Sequence, residues 1–118
     1  MRIQILGATV AAALVAAAPA AAHTELKSTT PSKGSTASRP LGSVTATFTQ
    51  PIQRGTLKVT GPGRTTVSRG SGGRDPRKVS RLRVGLKGGL AAGRYKVRWT
   101  IKAVDGHAQT GTFRFRLR

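Results

Sequence analysis

Only two histidines occur in the 118 residues, His23 and His107, and each stands where a metal ion could be held. His107 closes the tetrapeptide Val104-Asp105-Gly106-His107. Positions two apart in an extended segment point to the same side, so Asp105 and His107 are expected to converge. His23 follows the small-residue stretch Ala16 to Ala22, which ends an apolar run from Ile3 to Val15 behind Met1-Arg2. A positive start, a short apolar stretch and a small-residue tail make a secretory signal, assigned here to residues 1–22. Cleavage before His23 would leave a terminal histidine, whose α-amine and ring Nδ1 can chelate one ion in a six-membered ring. Cleavage at the competing small-x-small site, before Ala21, would not.

His23, Asp105 and His107 together offer nitrogen and oxygen donors without sulfur, and the absence of cysteine excludes thiolate sites. A tetragonal nitrogen-and-oxygen set suits Cu(II), which also heads the divalent affinity order. Zinc is the main competitor, since it accepts two histidines and one carboxylate. Spacing alone is a weak signal, because an Asp-x-His can simply close a polar turn. The terminal histidine adds weight, and the charge balance matters too: 21 Lys and Arg face only three acids, Glu25, Asp75 and Asp105. A bound dication meets repulsion in such a field, and Asp105 could offset it. Every carboxylate here sits in a positive surrounding, which favours a specific use for each.

These groups must be carried by a small domain, residues 23–118, with one modest core and no disulfide. From residue 43 onward the apolar residues alternate with period two, the mark of half-buried strands. Val44, Ala46 and Phe48 make one such run, ending at a Gln50-Pro51 turn; Leu57 and Val59 continue the pattern. Glycine-rich turn chemistry at Gly61-Pro62-Gly63 and across Arg69 to Arg77 breaks it. Leu82, Val84 and Leu86 read as the next strand, Tyr95 to Ala103 as the longest, and Phe113 to Leu117 as the last. Leu26 to Thr30, stopped by Pro31, reads as an edge strand. About seven short strands without helical periodicity predict an all-β, Greek-key sandwich or barrel of the Ig-like or cupredoxin-like kind, with Trp99 in its core.

Between the apolar positions of the later strands stand Arg81 and Arg83, then Arg94, Lys96, Arg98 and Lys102, then Arg114, Arg116 and Arg118. One outer face is therefore expected to be heavily positive, either as a merely solvated surface or as a patch for anions. Cleavage after Ala22 removes one arginine and takes the formal charge from +18 to +17. For an exported domain the partners this favours are anionic envelope polymers or an anionic membrane surface. Tyr95, Trp99, Phe113 and Phe115 alternate toward the core, which argues against base stacking and specific nucleic-acid recognition. The apolar run at the start falls short of the ~20 residues a membrane span needs, and no later segment approaches it.

The residues resemble the CopC copper-resistance family, small periplasmic copper carriers of Greek-key β-sandwich fold. The likeness runs from His23-Thr24-Glu25-Leu26-Lys27-Ser28 through Pro31 and Val44-Thr45-Ala46-Thr47-Phe48-Thr49 before Pro51. It continues through Leu90, Gly93-Arg94-Tyr95-Lys96-Val97-Arg98-Trp99, Asp105-Gly106-His107 and Gly111-Thr112-Phe113-Arg114-Phe115. The resemblance implies a Cu(II) site made by the amine and imidazole of His23, the carboxylate of Asp105 and the imidazole of His107. It also implies copper buffering, resistance or delivery to an inner-membrane copper transporter, without catalytic turnover. A methionine-rich Cu(I) site of the kind some members carry is not expected, because Met1 is the only methionine. Before Pro51, where many relatives carry a glutamate that supports the terminal amine, this chain has Gln50. An amide there still accepts a hydrogen bond but brings no charge. Terminal-histidine copper sites also serve oxidative polysaccharide-cleaving enzymes, yet a ligating Asp105 would fill the position that oxygen chemistry needs open.

Overall fold

A computed structural model describes residues 24–118 as two packed four-stranded sheets. The expected signal segment 1–22 and His23 lie outside the described residues. The strands are β1 (Leu26–Thr30), β2 (Thr36–Ala37), β3 (Ser43–Phe48), β4 (Ile52–Thr60), β5 (Gly73–Arg74), β6 (Arg81–Gly85), β7 (Gly93–Ala103) and β8 (Ala108–Leu117). One sheet runs β1-β3-β6-β5 and the other β2-β8-β7-β4. The expected all-β sandwich is thus the observed fold, and every alternating run picked out in the sequence is a strand. β6 stops one residue short of Leu86, which instead bridges Ser68.

The two strands without a sequence signal are two residues long. β2 pairs in parallel with the end of β8, Thr36 opposite Arg116, and β5 lies inside the glycine-rich stretch that reads as loop. Neither has room for an alternation, so only their partners reveal them.

Alternation decides what is buried. On β7, Tyr95, Val97, Trp99, Ile101 and Ala103 face inward, meeting Phe113, Phe115 and Leu117 of β8 and Leu57 and Val59 of β4. Phe48 meets Trp99 edge-on with ring centroids 5.0 Å apart, joining the two sheets; Tyr95 stacks on Phe115 at 5.4 Å. The Tyr95 hydroxyl donates to the Ala91 carbonyl at 2.6 Å, so its polar end is satisfied.

Trp99 fits because its cross-strand partner is Gly111, over which the indole lies. A Cβ at residue 111 would come within 2.4 Å of indole Cζ2. Gly111→Ala is therefore expected to destabilise the fold by about 1–3 kcal/mol, the usual cost of overpacking. Chemical denaturation followed by Trp99 fluorescence would measure it, and an unchanged midpoint would refute the packing.

Candidate metal centre

Asp105 and His107 sit on the four-residue connection Val104 to His107 that turns β7 into β8. The turn is closed by Ala103 N–H donating to the His107 carbonyl and Gly106 N–H to the Ala103 carbonyl, both at 2.9 Å. Gly106 has φ +92°, a conformation that side chains beyond glycine rarely adopt, which explains a glycine between the two candidate ligands. The Asp105 carboxylate takes the backbone N–H of His107 on Oδ1 at 3.0 Å and approaches ring Nδ1 with Oδ2 at 2.9 Å.

The two side chains do converge, but not as neighbours along an extended strand, where they would lie roughly 6.6 Å apart. The tight turn folds the carboxylate back onto the next two residues, as aspartate does at turn starts. The His107 side chain is 80% exposed, so the ring is open to an incoming ion, while that of Asp105 is 28% exposed. The hydrogen bond from His107 holds the Asp105 carboxyl below its ordinary value, and Asp105 in turn raises the His107 ring above 6.5. Asp105 therefore fixes the ring and favours positive charge at this point, whether proton or metal.

The rest of this end of the sandwich is built by long-range pairing. Ile52, the first residue of β4, pairs with Ala103, the last of β7, and the Gln53 amide donates to the Val104 carbonyl at 3.2 Å. The turn between β3 and β4, with exposed Gln50, is thereby held beside the Asp105 turn. At its other side Thr49 N–H donates to the Glu25 carbonyl at 2.9 Å, and Glu25 N–H donates to Thr49 Oγ1 at 3.0 Å. Thr24 is buried. Thr24 thus stands at the end of the domain that carries Gln50, Asp105 and His107. His23 itself lies outside the described residues, and among the described residues no three potential ligands cluster. Val79 and Val104, the large apolar side chains left exposed among the described residues, are on loops at this same end: the Val79 carbonyl accepts from Ile52 N–H at 3.0 Å.

The third carboxylate, Asp75, does more than the turn chemistry expected of its loop. It is buried in the loop between β5 and β6, with Oδ1 accepting from Arg77 N–H at 2.9 Å and Oδ2 paired with the Arg81 guanidinium at 3.0 Å. The hydrogen bond from the Arg77 backbone, aided by both arginine side chains, holds its carboxyl below the ordinary 3.8 against the opposing effect of burial. An acid amid Arg74, Arg77, Lys78 and Arg81 was the available clue.

The sequence profile of the CopC domain matches residues 26–118. The chain belongs to the CopC family. No curated protein sequence matches the chain, but solved structures do. CopC from Methylosinus trichosporium OB3b is 20% identical with a TM-score of 0.67, over 80% of this chain and 93% of that one. PcoC, a methionine-rich copper resistance protein from Escherichia coli, is 27% identical with a TM-score of 0.65, over 82% of this chain and all of that one.

Proposed function

We propose that this CopC-family protein is exported, is cleaved before His23, and holds one Cu(II) ion through the amine and imidazole of His23 together with Asp105 and His107. The observation that carries the reading is the Asp105–His107 pair, 2.9 Å apart on an exposed turn, at the end of the domain where residue 24 enters. Family membership supports copper as the ion, since the similar PcoC is a copper resistance protein. PcoC is described as methionine-rich, whereas this chain has no methionine after Met1, so the donors left to it are nitrogen and oxygen. Imidazole and amine nitrogens with a carboxylate favour Cu(II) over softer Cu(I). Export supplies the free amine, and the protein buffers copper or passes it to a membrane transporter, without turnover. Val79 and Val104 flank the site as an apolar rim on which such a transporter could seat.

The test is a Cu(II) titration of protein beginning at His23, followed by d–d absorption, beside a version with one alanine added ahead of His23. The expected result is one ion per chain and at least about 100-fold weaker binding by the extended protein, since a direct ligand matters more than the outer partners whose loss costs 10–100-fold. Equal tight binding by both would sink the terminal-amine site. Tighter binding of zinc than of copper would overturn the choice of metal.

A further inference from the structure

The single basic face expected from the sequence is divided between the two sheets. Arg81 and Arg83 belong to β6 in the β1-β3-β6-β5 sheet, and Arg81 is engaged with Asp75. The remaining cations gather on the outer face of the other sheet, in an order that the register spells out. Arg94 of β7 lies opposite Arg116 of β8; in the next outward row Lys96 lies opposite Arg114; in the next Arg98 lies between Lys58 of β4 and Thr112. Then comes a neutral row, Thr110-Thr100-Thr56, before Lys102 opposite Arg54 at the metal end.

Six cations thus fill three consecutive rows, and all six are exposed. Like charges directly opposite each other on adjacent strands destabilise a sheet. No carboxylate relieves them: Glu25 precedes β1, Asp75 is buried in the other sheet's loop, and Asp105 is on the β7–β8 turn. The threonine row shows that this sheet accepts neutral β-branched residues at the same outward positions, which also suit a strand better. Folding therefore gives no reason for the cations.

We infer that this face is a docking strip for a linear, phosphate-bearing polyanion of the cell envelope, bound by charge, at the end of the sheet away from the metal centre. The shape favours a chain over a bilayer. Cations stand mainly in two adjacent files, roughly 5 Å apart, with rows repeating about every 6.7 Å along the strands. The strip begins in a shallow depression lined by Gly34, Ser35, Arg94, Arg114 and Arg116, with the buried Phe115 at its floor. Four of the six are arginines, whose planar forks hold phosphate oxygens in pairs. Its outward positions carry no apolar or aromatic side chain to enter a membrane interface, and the aromatic residues of β7 and β8 are buried, so bases cannot stack on it. The threonine row separates the strip from the Asp105 turn, so a docked chain leaves that turn free. The inference rests on the export reading but not on the copper reading.

The test uses long-chain inorganic polyphosphate as probe, titrated by calorimetry from 0.05 to 0.3 M salt. Six neutralised phosphates predict a slope of log K against log salt of about −4, taking about −0.7 per contact as for single strands. A triple variant, Arg94→Gln, Lys96→Gln and Arg114→Gln, should bring the slope to about −2 and weaken binding at least about 10-fold at 0.1 M salt. A control triple, Lys27→Gln, Lys78→Gln and Arg83→Gln, removes equal charge elsewhere and should change binding less than about 3-fold. The strip variant should melt no lower than the parent at low salt, because repulsion is relieved, which separates lost binding from lost fold. Equal weakening by both triples would overturn the inference in favour of diffuse charge. Displacement of polyphosphate by vesicles of phosphatidylcholine with 30% phosphatidylglycerol, bound more tightly, would overturn it in favour of a membrane surface.

Discussion

Replacing His107 by alanine is expected to lower Cu(II) affinity by at least about 100-fold, more than the loss of an outer-shell partner would, while the melting temperature stays within about 2 °C, as for surface substitutions. The separation of the two effects follows from where the ring lies. Its side chain is 80% exposed and touches the fold through Asp105 alone among the contacts described, so removing it opens no cavity. The turn keeps its own bonds, because Ala103 N–H reaches the carbonyl of residue 107 and Asp105 Oδ1 reaches its N–H, both backbone groups. Binding, by contrast, loses one of the few nitrogen donors the chain possesses. Titration with Cu(II) against a competing chelator, beside a thermal melt, measures both quantities. Unchanged affinity would remove His107 from the site, and a large drop in melting temperature would show that the ring is a structural element instead.

Asp75→Ala should do the reverse, lowering the melting temperature by about 10 °C or more in a domain of this size while leaving copper binding unchanged. Its carboxylate is buried and answers an N–H and two guanidinium groups. Removing it strands those donors and leaves Arg81, itself partly buried, without its counter-charge. The pH dependence has a definite sign. The native carboxyl titrates below its ordinary 3.8, so the folded state binds its proton less readily than the unfolded chain. Its stabilisation is complete above about pH 4, by the usual carboxylate range, and is lost as pH falls through the lowered native value. Melts between pH 2 and 7 should show the parent losing stability on acidification more steeply than Asp75→Ala. Parallel curves would mean that Asp75 contributes little, whatever its contacts.

The strand content was readable from the chain because alternation is a local consequence of one side facing a core. Tyr95 to Ala103 and Phe113 to Leu117 show it without reference to any partner, and the burial of their apolar positions follows. The pairing of Asp105 with His107 was readable too, though for a different reason than strand geometry: Gly106 and the Asp side chain make a turn that brings them together. Outside the reach of local pattern were the two-residue strands β2 and β5, and the burial of Asp75 against Arg77 and Arg81.

Two outcomes that matter for function depended on contacts between residues far apart in the chain. Alternation says that a cation points outward but not from which sheet, so Arg81 and Arg83 looked continuous with Arg94 to Arg116 until the crossover between β6 and β7 placed them in opposite layers. Likewise nothing local connects Thr24, Gln50 and Asp105. The bonds between Glu25 and Thr49 and the pairing of Ile52 with Ala103 bring them to one end of the sandwich. Residue types and spacing can name candidate donors, but a metal centre is a matter of distance, and distance across a sandwich is set by strand order and register.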